Sequence, residues 1–190
     1  QDVTFVGTGF LVQNAGSVKA KGIELEAVAT PTEWLTLDSA IALQDSEFES
    51  FESGPCASGE VSDGVIPGTC DRSGDKSPNT PRWQVHFGAQ LEQPISNLVT
   101  GFLRADVTYR SEFATESSND PRKFQDGYTT VDARAGVSFD DGRWELSVWG
   151  KNLTQAEWIP LSFDGVLQPG KIYAYPNEPR TYGVTVRASF

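Results

Sequence analysis

The sequence predicts an all-β protein, an antiparallel up-and-down transmembrane β-barrel segment of about eight strands. Two observations predict it. Apolar and polar residues alternate with a period of two along most of the chain, and the connections between the alternating stretches are short and long by turns. A strand sends successive side chains to opposite faces, so sustained alternation implies a sheet between two different environments. Sorted connection lengths put all the long links at one end, the asymmetry of outer-membrane barrels. A two-sheet sandwich would account for the strands but has less reason to sort its loops.

In chain order, Val3–Gln13 reads as the first strand, with the weakest alternation and an unfixed facing. Ile23, Leu25, Ala27 and Ala29 then oppose Gly22, Glu24 and Glu26. The turn "TPTEW" (30–34) leads to Leu35, Leu37, Ile41 and Leu43, opposed by Thr36, Asp38 and Gln44. After a long polar link, roughly 49–79, Trp83, Val85, Phe87, Ala89 and Leu91 oppose Arg82, Gln84, His86, Gln90 and Glu92. "QPISN" (93–97) turns the chain into Leu98–Arg110, where Val99, Leu103, Ala105, Val107 and Tyr109 oppose Thr100, Arg104, Asp106, Thr108 and Arg110. A second link, 112–126, precedes Val131, Ala133, Ala135, Val137 and Phe139, opposed by Thr130, Asp132, Arg134 and Ser138. "DDG" (140–142) is a turn by composition, and Trp144, Leu146 and Val148 beyond it oppose Glu145, Ser147 and Lys151. The third link, 155–178, ends in "PRTYGVTVRASF", which aligns Tyr182, Val184, Val186, Ala188 and Phe190 on one face. Trp34, Trp83, Tyr128, Trp144, Tyr182 and Phe190 are candidates for an interfacial aromatic girdle.

The formal net charge of −11 excludes nucleic acid as a partner on electrostatic grounds. No run approaches the roughly 20 apolar residues of a membrane helix, an absence that does not bear on barrels. The chain contains no Met and opens on no leader pattern, so it is expected to be processed or part of something longer. Cys56 and Cys70 lie in a polar stretch with no His or other Cys nearby to complete a metal site. A disulfide is expected, in an oxidising compartment.

No catalytic residues, metal site or cofactor are predicted. His86 is the only histidine, and its parity puts it among polar inward residues. The pairs Glu24/Glu26 and Asp132/Glu145 offer two carboxylates, as glycoside hydrolysis requires. The simpler reading is that they face Arg104, Arg134, Arg143 and Lys151 in a wet lumen. The third link places Trp158, Phe163, Tyr173 and Tyr175 among Asp164, Gln168 and Lys171. These aromatics are the candidate ligand contacts; packing of the loop on its neighbours is the alternative.

Four stretches carry a family resemblance: "NAGSVKAKGIELEA" (14–27), "TPTEWLTLDSAIA" (30–42), "WGKNLTQAEW" (149–158) and "PRTYGVTVRASF" (179–190). With them the chain resembles the C-terminal part of TonB-dependent outer-membrane receptors over essentially its whole length. It departs from the family at "TQAEW", which stands where Phe-Asp-x-x-Tyr usually follows the Asn-Leu pair. The resemblance implies that residues 1–190 belong to a plugged 22-stranded barrel, with the plug domain and earlier strands absent. It implies a bacterial outer-membrane location and a part in active uptake of a scarce nutrient: siderophore-iron, haem, cobalamin or an oligosaccharide. The implied partners are outer-membrane lipid, the remaining strands and plug, the TonB protein through the missing N-terminal part, and that ligand. Phe190 would be the barrel-assembly signal. The alternatives are a self-contained eight-stranded barrel with a structural or adhesive role, and a secreted carbohydrate-binding β-sandwich.

A closed eight-stranded barrel has an interior just wide enough for side chains. The inward faces carry Glu24, Glu26, Asp38, Arg82, His86, Glu92, Arg104, Asp106, Asp132, Arg134, Arg143, Glu145, Lys151 and Arg187, each of which would need a partner there. Val3–Gln13 and Arg180–Phe190 are therefore expected not to pair with each other.

Overall fold

The computed structural model describes residues 2–6, 9–14, 16–165, 167–168 and 170–189; Phe190, the expected assembly signal, lies outside the described residues. The strands are β1 (Asp2–Val6), β2 (Gly9–Gln13), β3 (Ser17–Thr32), β4 (Leu35–Ser50), β5 (Trp83–Ser96), β6 (Val99–Arg110), β7 (Phe113–Ala114), β8 (Phe124–Gln125), β9 (Tyr128–Phe139), β10 (Trp144–Lys151), β11 (Leu161–Asp164), β12 (Ile172–Tyr175) and β13 (Thr181–Ala188). Seven of them form one sheet in the order β13-β10-β9-β6-β5-β4-β3, every neighbouring pair antiparallel. Sheet order follows chain order, so the sheet is an up-and-down meander. Its hairpin turns at 33–34, 97–98 and 140–143 are short, and its other connections, 51–82, 111–127 and 152–180, are long. All long links therefore leave from one end, as the sequence predicts.

The register fixes the two faces. Leu35, Leu91, Leu103, Ala135, Val148 and Val184 stand in one cross-strand row, and Phe87, Val107 and Val131 in another. This apolar face is open: Val148 is 56% and Val184 67% exposed. A water-soluble sheet would cover such a surface with a second layer. Here the buried apolar residues are Phe48, Phe51, Cys70, Phe113 and Ala114, at the tops of strands and in the long links. Among the described residues the sheet is a single layer without a core beneath it, which disfavours the sandwich and suits lipid on one side and a polar lumen on the other.

β3 and β4 each run for 16 residues, longer than the roughly 9–11 needed to cross a bilayer. The surplus is at the long-link end, where Lys19 pairs in register with Glu47 and Lys21 with Asp45. Among the described residues of the sheet, charge reaches the outward face there, above the apolar band.

Two expectations require correction. Val3–Gln13 falls in two strands, because β1 and β2 pair antiparallel with each other, and two half-strands read as one explain the weak alternation. The links 112–126 and 155–178 are likewise not merely polar, since they hold the hairpins β7–β8 and β11–β12. The expected separation of the two ends holds among the described residues: β13 bonds to β10, β3 to β4, and neither to β1 or β2. The sheet is open at both edges.

Candidate functional site

Midway up the inward face, alternation brings charges from three adjacent strands together. Arg104 on β6 donates from Nη1 to Asp38 Oδ1 on β4 at 3.0 Å, from Nε to Asp106 Oδ2 at 3.0 Å and from Nη2 to Asp106 Oδ1 at 2.6 Å. It crosses β5 to do so, over Gly88, where a Cβ would lie 2.5 Å from Asp38 Oδ2 and 2.6 Å from Arg104 Nη2. Gly183 likewise leaves room for the indole of Trp149, whose Nε1 donates to Thr185 Oγ1 at 3.1 Å. At both positions the missing Cβ makes room for a large neighbouring side chain to cross the strand.

His86 completes this group, with Nε2 3.1 Å from Asp38 Oδ2 and 3.6 Å from Asp106 Oδ1, and Nδ1 3.3 Å from Thr108 Oγ1. Asp38, His86 and Asp106 are metal-ligating residue types, but the Arg104 guanidinium already occupies both carboxylates. The cluster reads as ion-paired wall around Arg104, whose guanidinium holds the carboxylates that a cation would need. The supposed carboxylate pair also separates. Glu145 pairs with Arg134, whereas Asp132 accepts the Asn152 N–H at 2.8 Å; Glu145 stands opposite Ser138, well along β9 from Asp132.

Asn152 explains the Asn-Leu motif physically. It ends β10 in the left-handed region, φ 51°, where asparagine is tolerated better than most residues. Its amide donates to Ala156 O and accepts from Ala156 N–H, both at 2.9 Å.

The long links stand together at one end of the sheet. Where β4 runs into 51–82, Phe48 and Phe51 pack with ring centroids 4.9 Å apart, and within the link Cys56 is joined to Cys70. Buried Arg72 donates to Pro55 O at 2.8 Å and Asp75 Oδ2 at 3.2 Å, and pairs with Glu60. Peptide mass spectrometry of the unreduced protein should recover the Cys56–Cys70 crosslink. Replacing both cysteines with serine should destabilise this loop by about 3 kcal/mol, judged by the chain it closes; unchanged protease resistance of 51–82 would count against that.

The links are tied to one another. Asp120, at the start of the 3-10 turn Pro121–Lys123, accepts from Arg122 Nη2 at 2.7 Å and, across links, from Ser58 N–H at 3.2 Å. Arg122's guanidinium first, then the backbone N–H groups of Arg122 and Ser58, hold the Asp120 carboxyl far below the usual carboxylate range. Lys123, its side chain 1% exposed, donates to Glu116 Oε1 at 3.0 Å and Asp164 Oδ2 at 2.8 Å. Thr115 Oγ1 and Ser162 Oγ lie 2.6 Å apart, both buried.

These ties fix the Ser162/Asp164 side of the β11–β12 hairpin and leave its other side outward. That side is Leu161, Phe163, Tyr173 and Tyr175, paired in register, with Phe163 5.9 Å from both tyrosine rings. Trp158 is separate from them. It stacks on Tyr128, centroids 4.5 Å apart and planes 7° off parallel, beside a cleft of about 820 Å³ that Gln125, Asn177 and Arg180 help to line. The four predicted aromatics therefore form two groups. Tyr128 is no girdle residue: it stands opposite Arg110 in register, on the inward face. Its parity with Thr130 and Asp132 was the available signal.

A family model for TonB-dependent receptor-like β-barrels matches residues 1–153. Among solved structures, the chain is similar to the ferric yersiniabactin uptake receptor FyuA from Yersinia pestis (21% identity, TM-score 0.69), covering 93% of this chain and 24% of that one. It is similar also to the ferric preacinetobactin receptor BauA from Acinetobacter baumannii (19%, TM-score 0.62; 93% and 22%). The siderophore receptor PiuA from the same organism gives 18% and a TM-score of 0.61, with 89% and 21% covered. At these identities the likeness establishes the fold. The chain spans under a quarter of each of those receptors.

Proposed function

Because the chain belongs to the TonB-dependent receptor-like β-barrel family, whose members are outer-membrane receptors and transporters rather than enzymes, we propose that it supplies part of the wall and outer mouth of an energised nutrient receptor. The observation that carries this reading is the single-layer sheet itself, apolar outward, polar and charged inward, with every long link at one end. The open edges of β3 and β13 suit completion by further strands, and an inward face of this polarity suits a plug within a wide lumen. TonB would act through that plug-bearing part of the protein, outside residues 1–190. The chain itself carries no catalysis in this reading.

The ligand is a siderophore-type ferric chelate, a class supported by the solved receptors that share the fold; haem, cobalamin or an oligosaccharide would be read by the same mouth with different chemistry. Phe163, Tyr173 and Tyr175 on the free hairpin face, and Trp158 on Tyr128, are the proposed ligand contacts. Rigid amphipathic rings bind at small entropic cost and keep a polar tip for orientation. Replacing Trp158 and Tyr173 together by alanine in the full receptor should lower ferric-chelate uptake at least tenfold while barrel abundance in the membrane stays constant. Unchanged ligand affinity in that variant would remove the aromatics from the site.

A further inference from the structure

The outward face is not evenly filled. β9 presents the small residues Ala133 and Ala135 there, while Leu103 on β6 and Val148 on β10 stand on either side of Ala135 in register. Two hollows of about 550 and 480 Å³ lie on this surface and share Ala135 and Val148 in their linings. They join into one groove that follows β9. Side chains close it at both ends. Tyr182 and Leu153 lean over Gly150, where a Cβ would meet them at 2.9 and 2.7 Å, and Ile95 leans over Gly101, where the gap would be 2.7 Å.

The groove has the dimensions of a single hydrocarbon chain. Its waist over Ala135 is one strand wide, with β6 and β10 about 9–10 Å apart at the usual strand spacing. An α-helix, about 10–12 Å across with its side chains, cannot enter between Leu103 and Val148. From Ala133 to Val137 the strand rise gives about 13 Å, close to the ~15 Å of one leaflet's hydrocarbon, half of a bilayer core. The lining is apolar, because the side chains of Arg134 and Trp149 turn to the other face, toward Glu145 and Thr185. Strands that complete the barrel add beside β3 and β13 in the plane of the sheet, so the groove stays open to the membrane.

Lipid tails are as apolar as leucine, so nothing drives one onto a smooth wall in preference to another tail. A groove changes this through packing, since a chain within it is contacted on three sides and many small dispersion contacts add along its length. We propose that the groove along β9 is a specific lipid site, holding one acyl chain of a phospholipid from the leaflet on the short-turn side. Phe139 and Trp144, opposite each other one outward row beyond Val137 and Leu146, mark the interface at which the headgroup sits.

The test places the full-length receptor in phosphatidylethanolamine vesicles doped with a phosphatidylethanolamine whose acyl chain carries a mid-chain diazirine. After irradiation, peptide mass spectrometry maps the attached lipid. Per exposed apolar side chain, Ala133, Ala135 and Val148 should be labelled at least threefold more than Leu37, Ala89 and Leu91, which stand in the same cross-strand rows. Ala135→Leu fills the waist and should bring the groove down to the level of the β4–β5 face. Ala89→Leu, the same change outside the groove, should leave the enrichment in place. Equal labelling of the two faces in the wild type overturns the assignment, as freely exchanging lipid would give. Weaker labelling of the groove overturns it too, since another protein would then cover it, and so does enrichment that survives Ala135→Leu. If a variant fails to fold, the wild-type map alone decides. The readout is lipid contact, so its failure leaves the receptor reading standing, and a receptor without uptake leaves the lipid site standing.

Discussion

Replacing Lys123 with methionine is expected to release the β11–β12 hairpin from the mouth. The methionine fills the same space but leaves Glu116 and Asp164 facing each other without the ammonium between them. Removing one partner of a buried ion pair costs about 3–5 kcal/mol. Asp164 is 40% exposed and can rehydrate, so the low end applies, about 3 kcal/mol, or roughly a hundredfold in a local opening equilibrium. The sheet does not depend on this contact, and the loss should be local rather than global. Hydrogen exchange should accelerate together in 113–125 and 161–175, with the strands of the main sheet unaffected. Asp164→Asn, which removes the more exposed partner, should have a much smaller effect. Equal exchange in wild type and Lys123→Met would show that Thr115 and Ser162 hold the hairpin without help.

That expectation bears on how ligand contacts are presented. A two-stranded hairpin in water has little stability of its own, so the outward set Leu161, Phe163, Tyr173 and Tyr175 owes its position to the docked face. The tie from Asp120 to Ser58 extends the same frame to link 51–82, and the Asn79 N–H to Ala114 O bond, 2.9 Å, adds a second crossing. The three links form one braced cap, and aromatics mounted on it meet a ligand with part of their ordering entropy already lost.

How much of this was legible follows from the range of the signals. Strand faces repeat every second residue, so Leu103, Ala105 and Val107 announce their side within a few positions. The turns do the same, since Asp140, Asp141 and Gly142 all take positive φ and are the residue types that tolerate it. The disulfide was legible because Cys56 and Cys70 have no other thiol to pair with. The mouth was not. Lys123 to Asp164 spans 41 residues, Thr115 to Ser162 spans 47 and Ser58 to Asp120 spans 62, with no period linking them. A lysine in a polar link reads as solvated charge until the fold brings two carboxylates to it. Parity places Arg110 inward, opposite Tyr128, whereas the charges around it follow from no period and appear only in the fold. Tyr128 was misassigned because aromaticity near a strand end was weighed above parity.

Parity also sets the last expected result. Val107 stands in the middle of the outward face, between Phe87 and Val131 in register, and is flanked along β6 by Asp106 and Thr108, which point inward. An arginine on the lipid face near mid-bilayer costs about 2–4 kcal/mol, since neither interface is within easy reach of its side chain. Val107→Arg in the full receptor should therefore lower the barrel's stability by that amount in reversible folding into bilayers. Asp106→Asn, one residue away, should cost about 0–1 kcal/mol, because Arg104 retains both of its contacts to Asp38 and the cluster is partly exposed to the lumen. Spin labels at 103, 105 and 107 should report lipid, and labels at 104, 106 and 108 water. If the odd positions report water, or if Val107→Arg is as mild as Asp106→Asn, the sheet does not present this face to the membrane. The open apolar rows Leu35–Val184 and Phe87–Val131 would then require a protein partner in place of lipid.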